Sequence, residues 1–431
     1  MVSSLLIGLF LILMFLGLPV SVAIGLATGI GMIVGGYDLM SIPQKMAVST
    51  QSIELMAVPF FILAASLMNA LGITQRIFEF ATALVGSLRG GLAHANVVAG
   101  TIFAGISGAA VADAAALGAI SMKEMPREGY SRTFSASLVI AVATLGPIIP
   151  PSIMMVIYAT IANVSIGRMF IAGIVPGLMI AGLLMTLIWA MGRGGFVTYP
   201  APVPFSFKAL VRATARALLA LMAPVVILRG MAVGWTTPTE AGILAVFYSI
   251  AVGAIYRKVT LKLLRECLRE TIRATALVMY IVAVSSALSW VFVAEGTAAD
   301  IAALITRYAD TQALFLLTAN VLLLILGCVI ETLPAMLIAL PVLLPAAQAL
   351  QIDLIHFGVV VIFNLLVGIM TPPMGIGLYI LMAIGNLQFG ELVRAAVPFI
   401  MILLVALVLL TAFPAITLWL PNLMMPAALP R

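Results

Sequence analysis

The 431-residue chain is poor in the side chains that enzymes and metal sites use. It has two cysteines and two histidines, and 8% of its residues are charged, against about 25% in an ordinary soluble domain. Cys267 and Cys328 give no disulfide framework, and His94 and His356 have no metal-ligand spacing. We therefore expect no zinc chemistry, no Cys–His catalysis and no bound cofactor.

Long hydrophobic runs fill the chain instead, and 64% of the residues are hydrophobic. The runs 3–36, 174–192 and 395–420 are each long enough to cross a hydrocarbon core of about 30 Å. They are too continuous for the alternating strands of a membrane barrel. The first run has no basic residue ahead of it and is too long for a cleaved signal, so we expect a retained membrane segment. The composition predicts an all-α polytopic membrane protein.

The net charge of +6 reports membrane orientation rather than nucleic-acid binding. The main basic stretch, "YRKVTLKLLRECLRETIRATA" (256–276), has apolar residues at helical spacing. It predicts an amphipathic helix over about 257–274, lying along the cytoplasmic interface, with a solvated linker helix as the alternative. The charged loop "SMKEMPREGYSR" (121–132) is expected on the same side.

Two proline-containing stretches resemble each other, "LGPIIPPSIMMVIY" (145–158) and "VGIMTPPMGIGLYI" (367–380). An offset of 222 positions aligns matching residues in order along the chain: Gly105 and Gly327, Gly146 and Gly368, Pro150 and Pro372, Pro151 and Pro373, Pro176 and Pro398. We predict two repeats, 1–205 and 206–431, joined by the polar stretch 192–208. Internal symmetry with matched broken helices is typical of secondary transporters, many of which invert the second repeat. A parallel repeat would give the same offset.

The paired prolines predict a broken helix in each half, over about 133–160 and 355–384. Proline has no N–H, so the pairs leave four carbonyls without a helical partner: those of Gly146, Pro147, Gly368 and Ile369. Within a bilayer such carbonyls must be buried in protein or face a polar cavity. Sodium, a hard cation, would satisfy them, and the N–H groups that begin each following helix would suit a carboxylate. A plain proline kink is the alternative.

A re-entrant hairpin is predicted before each break, over about 88–123 and 312–346. In "GTIFAGISGAAVADAAALGAI" (100–120) two short helices would meet at Ser107 and Gly108, and the equivalent tip contains Glu331 and Thr332. Ionisable groups at membrane depth, here Asp113 and Glu331, are candidates for function. Placement of the tips at an aqueous surface remains the alternative.

At these residues the sequence resembles the large membrane subunit of the tripartite ATP-independent periplasmic (TRAP) transporters. The resemblance covers essentially the whole chain. Its motifs are "FAGISGAAVADAAALGAI" (103–120), "GPIIPPSIMMVIYA" (146–159), "WTTPTEAGILAVFYS" (235–249), "ETLPAMLIALPVLLPAAQALQIDLIHFGVVVIFNLLVGIMTPPMGIGLYI" (331–380) and "VPFIMILLVALVLL" (397–410).

The resemblance implies a sodium-coupled importer of organic acids in the bacterial cytoplasmic membrane. Its two inverted repeats would form a fixed scaffold and an elevator-type transport domain. Its partners would be a small four-helix membrane subunit and a periplasmic substrate-binding protein. The alternative is a standalone sodium- or proton-coupled carboxylate carrier of the same fold. A membrane-embedded enzyme is disfavoured by the scarcity of histidine and cysteine.

The resemblance also implies site residues. Sodium would be bound at Ser107, Gly108, Gly146, Ile149 and Ser152 in the first half, and at Gly327, Gly368, Thr371 and Met374 in the second. The substrate candidates are Ser107, Asp113, Asn163, Thr332, Asn364, Thr371 and Pro372. An ionised Asp113 that faced an acid would repel it, so the alternative role for this residue is to organise the hairpin.

Overall fold

The computed structural model describes residues 2–202, 204–232, 234–296 and 311–425, and within these ranges the chain forms helices and no β-strand. Seven of the described helices are long and apolar enough to cross a membrane, or eight if one bent pair counts as a single span. The prediction of an all-α polytopic membrane protein is confirmed.

The first ten helices, which belong to the first half of the chain, are α1 (Val2–Phe15), α2 (Val20–Gly35), α3 (Ser41–Thr50), α4 (Ala57–Ala70), α5 (Ile73–Val85), α6 (Gly91–Ser107), α7 (Ala110–Arg127), α8 (Arg132–Ala143), α9 (Ile153–Ala162) and α10 (Ile166–Arg193). The remaining described helices are α11 (Phe207–Ala232), α12 (Pro238–Ile255), α13 (Leu261–Ala294), α14 (Gln312–Val329), α15 (Thr332–Ala349), α16 (Leu354–Gly368), α17 (Ile376–Gly385), α18 (Phe389–Ala412) and α19 (Ala415–Met424). A 3-10 turn at Glu54–Met56 precedes α4.

The second half repeats the element order of the first at nearly the same offset. α6 ends at Ser107 and α14 at Val329, and α7 begins at Ala110 and α15 at Thr332, so both pairs of bounds lie 222 positions apart. In each half a hairpin of two helices joined by two residues is followed by a broken helix. The division at residue 205 and the inverted orientation of the halves stay predictions.

The basic stretch is not a separate interfacial helix. Residues 257–274 were expected to form one, but α13 runs unbroken for 34 residues from Leu261 to Ala294. No glycine or proline occurs between these ends, so nothing separates the amphipathic part from the apolar part that follows. The basic side chains of its first turns, such as Arg265 and Arg269, are exposed.

Helix contacts divide the described elements into two groups. A framework group packs together from α1 to α5 and α11 to α13, and a hairpin group contains α6 to α10 and α14 to α19. They meet chiefly where α5 contacts α6 and where α13 contacts α15. Within the hairpin group, every residue of α16 from Ile355 to Gly368 is buried, which marks a helix surrounded by protein rather than lipid.

Candidate ion and substrate site

The two broken helices pack across each other inside the hairpin group. The Tyr158 hydroxyl, on α9, donates to the Leu354 carbonyl on α16 at 2.6 Å, and its ring fills the space beside Gly358. On the other side, Gly377 of α17 packs against the Ile140 side chain of α8. Each second segment therefore rests on the first segment of the other broken helix, and the two breaks lie near one another.

The tip of the first hairpin lies against the first break. Gly108 takes a left-handed conformation, with φ +64°, directly after α6. A Cβ added there would lie 2.5 Å from the Pro151 carbonyl oxygen and 3.1 Å from the Ser152 Cα. Only glycine allows both the turn and this close approach of two backbones. The peptide bonds Pro150–Pro151 and Pro372–Pro373 are both cis.

Asp113 connects the same tip to Gly146. It lies in the first turn of α7, is 1% exposed, and accepts a hydrogen bond from the Ser107 hydroxyl through Oδ1. Its other oxygen, Oδ2, occupies the space where a Cβ on Gly146 would stand. The structure thus brings Ser107, Gly108, Gly146 and Ser152 together, with the Asp113 carboxyl among them.

The first break leaves the Gly146 carbonyl unpaired. No residue of the described chain donates a hydrogen bond to the Gly146 carbonyl, as expected from the missing N–H of Pro150. The Pro147 carbonyl, by contrast, accepts from the Ser152 hydroxyl at 2.6 Å. That serine also caps α9, because its oxygen accepts from the Met155 N–H.

In the second break the expectation of free carbonyls is wrong. The Gly368 carbonyl accepts from the Thr371 N–H at 3.0 Å, and the Ile369 carbonyl accepts from the Gly377 N–H at 3.1 Å. The chain turns tightly enough after α16 for later N–H groups to return to these oxygens. Each carbonyl oxygen keeps a second lone pair, so the Gly368 oxygen can still accept another partner.

The predicted sodium residues of the second half converge at the hairpin tip. Gly327 and Gly368 touch backbone to backbone, since a Cβ on Gly368 would lie 2.5 Å from the Gly327 oxygen and 2.7 Å from its Cα. The Met374 N–H donates to the Cys328 carbonyl at 3.1 Å, which ties the break to the end of α14. The Thr371 hydroxyl donates back to the Val367 carbonyl at 2.8 Å.

Thr332 is one of two substrate candidates with a buried polar atom that lacks a partner among the described residues, the other being Asn364. It begins α15 at the second tip, directly after Glu331, and is 4% exposed. Its hydroxyl has no hydrogen-bond partner among the described residues. A buried hydroxyl without a partner is costly, so a ligand at this tip would be stabilised by hydrogen bonding to it. Thr371 and Pro372 of the adjacent break are partly exposed.

Asn364 is fully buried; its amide nitrogen is used within the protein, and its Oδ1 has no partner among the described residues. Its Nδ2 donates to the backbone oxygen of Asn320 at 3.0 Å and to the side-chain oxygen at 2.7 Å. Asn320 in turn donates to the Thr411 hydroxyl at 2.9 Å, so the three residues join α14, α16 and α18. These contacts direct Asn364 away from the tips.

Asn163 is placed at the far end of α9. It ends that helix with φ +54°, and the ten residues of α9 separate it from Ser152 by about 15 Å. It lines a cavity of about 460 Å³ whose polar members include Ser49, Ser52, Thr160, Asn163, Ser285 and Ser289. Sequence reasoning missed this cavity, although the serines spaced three to four residues apart in the apolar α13 could have indicated it. The buried Ser285 hydroxyl has no partner in the described chain.

A membrane-spanning helical protein with two hairpins set against two broken helices has the fold of a membrane transporter. The YdaH transporter of Alcanivorax borkumensis, in a crystal structure described as having an unusual topology, shares it with a TM-score of 0.64 over 89% of this chain and 90% of that chain, at 14% identity. The chain belongs to the tripartite ATP-independent periplasmic transporters and matches their DctM component over residues 7–416.

Two similar proteins carry the name of the same family. The chain is 38% identical to the sialic acid TRAP transporter large permease of Vibrio cholerae, over 95% of this chain and 96% of the relative. It is also 38% identical to the C4-dicarboxylate TRAP transporter large permease of Pseudomonas aeruginosa, over 89% and 90% of the two chains. This protein is therefore a multi-pass permease of the bacterial inner membrane and a transport subunit, not an enzyme.

Proposed function

We propose that this permease imports an organic acid with sodium as the coupling ion and needs no other cofactor. A periplasmic binding protein would deliver the acid, and a small four-helix membrane subunit would complete the complex. The family description, tripartite and periplasmic, supports two further components. Sialic acid and C4-dicarboxylates, which appear in the names of the two relatives, are both carboxylates, and this supports the substrate class.

The observation that carries the proposal is the meeting of each hairpin tip with a proline break. In both halves a glycine permits backbone contact, Gly108 against Pro151 and Gly368 against Gly327. Backbone oxygens collected inside a membrane protein are suited to a hard cation that has lost its water. We assign one sodium to each meeting point, with Ile149, Ser152, Thr371 and Met374 belonging to the same two turns.

We place Asp113 with the first sodium rather than with the substrate. Its carboxyl lies between the Ser107 hydroxyl and the space beside the Cα of Gly146, the residue whose carbonyl has no donor among the described residues. A buried carboxylate requires a compensating charge, and a cation at the same carbonyl would supply it. This assignment also removes the repulsion that an ionised Asp113 would exert on an acid.

The acid would lie between the two tips, beside Ser107, Thr332, Thr371 and Pro372. The free hydroxyl of Thr332 can donate to a carboxylate oxygen. Four helices, α7, α9, α15 and α17, begin at the tips and breaks. Their first N–H groups and partial positive charge favour an anion. Such donors bind a carboxylate without a lysine or arginine.

We further propose that the hairpin group moves against the framework group, as in an elevator. Two cavities lie on the boundary between them. The 460 Å³ cavity is enclosed by α9 and α15 on one side and α13 on the other. A second, of about 730 Å³, is lined by α7 of the hairpin group and by α5 and α11 of the framework group. Open space along a boundary allows one group to slide without unpacking its own core.

The test is uptake of radiolabelled acid into proteoliposomes that contain the permease and its small subunit, with binding protein outside. We expect accumulation that requires both an inward sodium gradient and the binding protein. Asp113→Asn should raise the sodium concentration for half-maximal uptake by about tenfold, equal to 1.4 kcal/mol, because it keeps the shape but loses the charge. The matched control is Asp38→Asn, since Asp38 is exposed in the α2–α3 turn.

Uptake that is indifferent to sodium would refute the coupling. Full uptake without binding protein would instead favour the standalone carrier. If Asp113→Asn and Asp38→Asn both have the sodium requirement of the wild type, Asp113 does not belong to the ion site. The rest of the proposal would not be affected.

A further inference from the structure

A small cationic cavity lies in the framework group, away from the tips and breaks. Its volume is about 300 Å³, and it lies between the start of α5, the middle of α11 and the turn that joins α12 to α13. Its lining residues are Gly72, Gln75, Arg76, Glu79, Arg216 and Lys258. Arg76, Arg216 and Lys258 come from three separate elements, and none of them forms an ion pair with any residue that the structure describes.

Contacts within the protein hold the cationic cavity in shape. The Arg76 guanidinium lies 3.8 Å from the ring centroid of Tyr256, and its Nη1 donates to the Arg216 carbonyl at 3.3 Å. The Tyr256 hydroxyl donates to the same carbonyl at 3.0 Å. The Lys258 ammonium stands close over Gly72, where a Cβ would lie 2.9 Å from its Nζ. The Arg76 guanidinium and the Lys258 ammonium are therefore placed at the cavity before any ligand binds.

The cationic cavity as a whole favours an anion. Three cations against the single carboxylate of Glu79 leave a net positive charge. The N-terminus of α5 adds a partial positive charge to the cavity. Gly72 caps this helix with φ +74°, and no side chain accepts a hydrogen bond from its first N–H groups. Arginine binds phosphate oxygens particularly well because its donors match them in pairs.

The surroundings are those of a lipid headgroup region. α5 buries Ile77, Phe78 and Ala81 on one side and exposes Gln75 and Glu79 on the other, as expected of a helix at the membrane surface. Beyond Arg216, α11 continues as an apolar membrane span.

We propose that the cationic cavity binds the phosphate of an anionic phospholipid. The excess of lysine and arginine at this end of the protein assigns the lipid to the cytoplasmic leaflet. The Glu79 carboxylate can accept from headgroup hydroxyls, which favours a glycerol headgroup, as in phosphatidylglycerol. The lipid would join α5 to α11 and α12 and so brace the framework against the moving group.

The test is native mass spectrometry of the full-length chain, alone and with its small membrane subunit, after purification in detergent with phosphatidylglycerol or phosphatidylcholine. Wild type should retain phosphatidylglycerol in preference to phosphatidylcholine. The double variant Arg216→Gln/Lys258→Gln should lower this retention by about thirtyfold, since each cation contributes about fivefold to sixfold at a lipid surface. Arg216→Lys/Lys258→Arg keeps both charges and should retain the lipid. Arg273→Gln, an exposed cation of α13 outside the cavity, is the matched control.

Equal losses in the double variant and in Arg273→Gln would reduce the effect to general surface attraction and overturn the proposal. Displacement of the bound lipid by the small membrane subunit would overturn the proposal as well. Inorganic phosphate distinguishes a lipid headgroup from a soluble anion as the ligand. If millimolar phosphate stabilises the protein against thermal unfolding and competes with phosphatidylglycerol, the cavity binds a soluble anion and the lipid assignment is wrong. None of these results depends on which acid is transported.

Discussion

At the scale of single residues, the site depends on glycines where two backbones touch. Gly327 and Gly368 come from different elements, and each leaves room for the other's main chain. The neighbouring atoms are backbone atoms fixed by the hydrogen bonds of α14 and of the second break. They cannot rotate away as a side chain could, so this contact is intolerant of even one added carbon.

Gly368→Ala should therefore destabilise the protein by about 1–3 kcal/mol, the usual cost of forcing extra volume into a packed interior. Sodium-dependent uptake should fall with it, because the second tip is displaced from the break. Thermal unfolding in detergent and uptake in proteoliposomes measure the two effects. Gly182→Ala is the control, since nothing lies within 4 Å of the Cβ it would add. Equal unfolding temperatures for the two variants would show that the contact is loose.

At the scale of elements, the sequence predicted the breaks because the prolines occur in pairs. Single prolines such as Pro176, Pro224 and Pro398 lie inside continuous helices. One missing N–H is compensated by neighbouring groups, whereas two in succession remove consecutive hydrogen bonds and also push the preceding residue out of the helical region. The hairpins were predictable for a similar reason, since Ser107 and Gly108 interrupt an otherwise helical pattern.

What the sequence did not reveal depends on contacts between distant segments. The partner of Asn364 is Asn320, 44 positions away, and no local pattern connects them. The return of the Gly377 N–H to the Ile369 carbonyl is set by how tightly the break turns, which composition does not encode. Asn163 was a substrate candidate from the resemblance, and the length of α9 separates it from the first break.

The paired prolines give a prediction at this scale. Pro372→Ala/Pro373→Ala restores two N–H donors and should favour a continuous helix through the second break, which removes the turn that positions Thr371 and Met374. We expect a folded protein with uptake reduced at least tenfold, since 1.4 kcal/mol lost at the ion site has that effect. Size-exclusion chromatography and uptake measure the two. Pro398→Ala, within the continuous α18, is the control. Wild-type uptake by the double variant would show that the break is a packing kink.

At the scale of the whole molecule, a group of basic residues lies at one end. The 730 Å³ cavity places Lys123 and Glu124 beside Arg212 and Arg216, and the cationic cavity adds Lys258. The ends of α7 and α12 and the first half of α11 therefore lie on one side of the membrane. At its other end, α12 begins at Pro238, shortly after Trp235. Trp235 is 77% exposed, and neither of its neighbours in sequence is a lysine or an arginine. The excess of basic residues assigns the first side to the cytoplasm.

This orientation can be tested with a membrane-impermeant maleimide in a background that lacks Cys267 and Cys328. A cysteine at exposed Arg265, near the start of α13, should react in inside-out vesicles and not in intact spheroplasts. A cysteine at Trp235 should show the opposite pattern, because α12 separates the two positions by the thickness of the membrane. With this orientation, the proposed periplasmic binding protein would dock on the face that carries Trp235. Reaction of both cysteines in intact spheroplasts would contradict the membrane placement of α12, and a reversed pattern would put the basic end, and with it the proposed lipid site, in the periplasm.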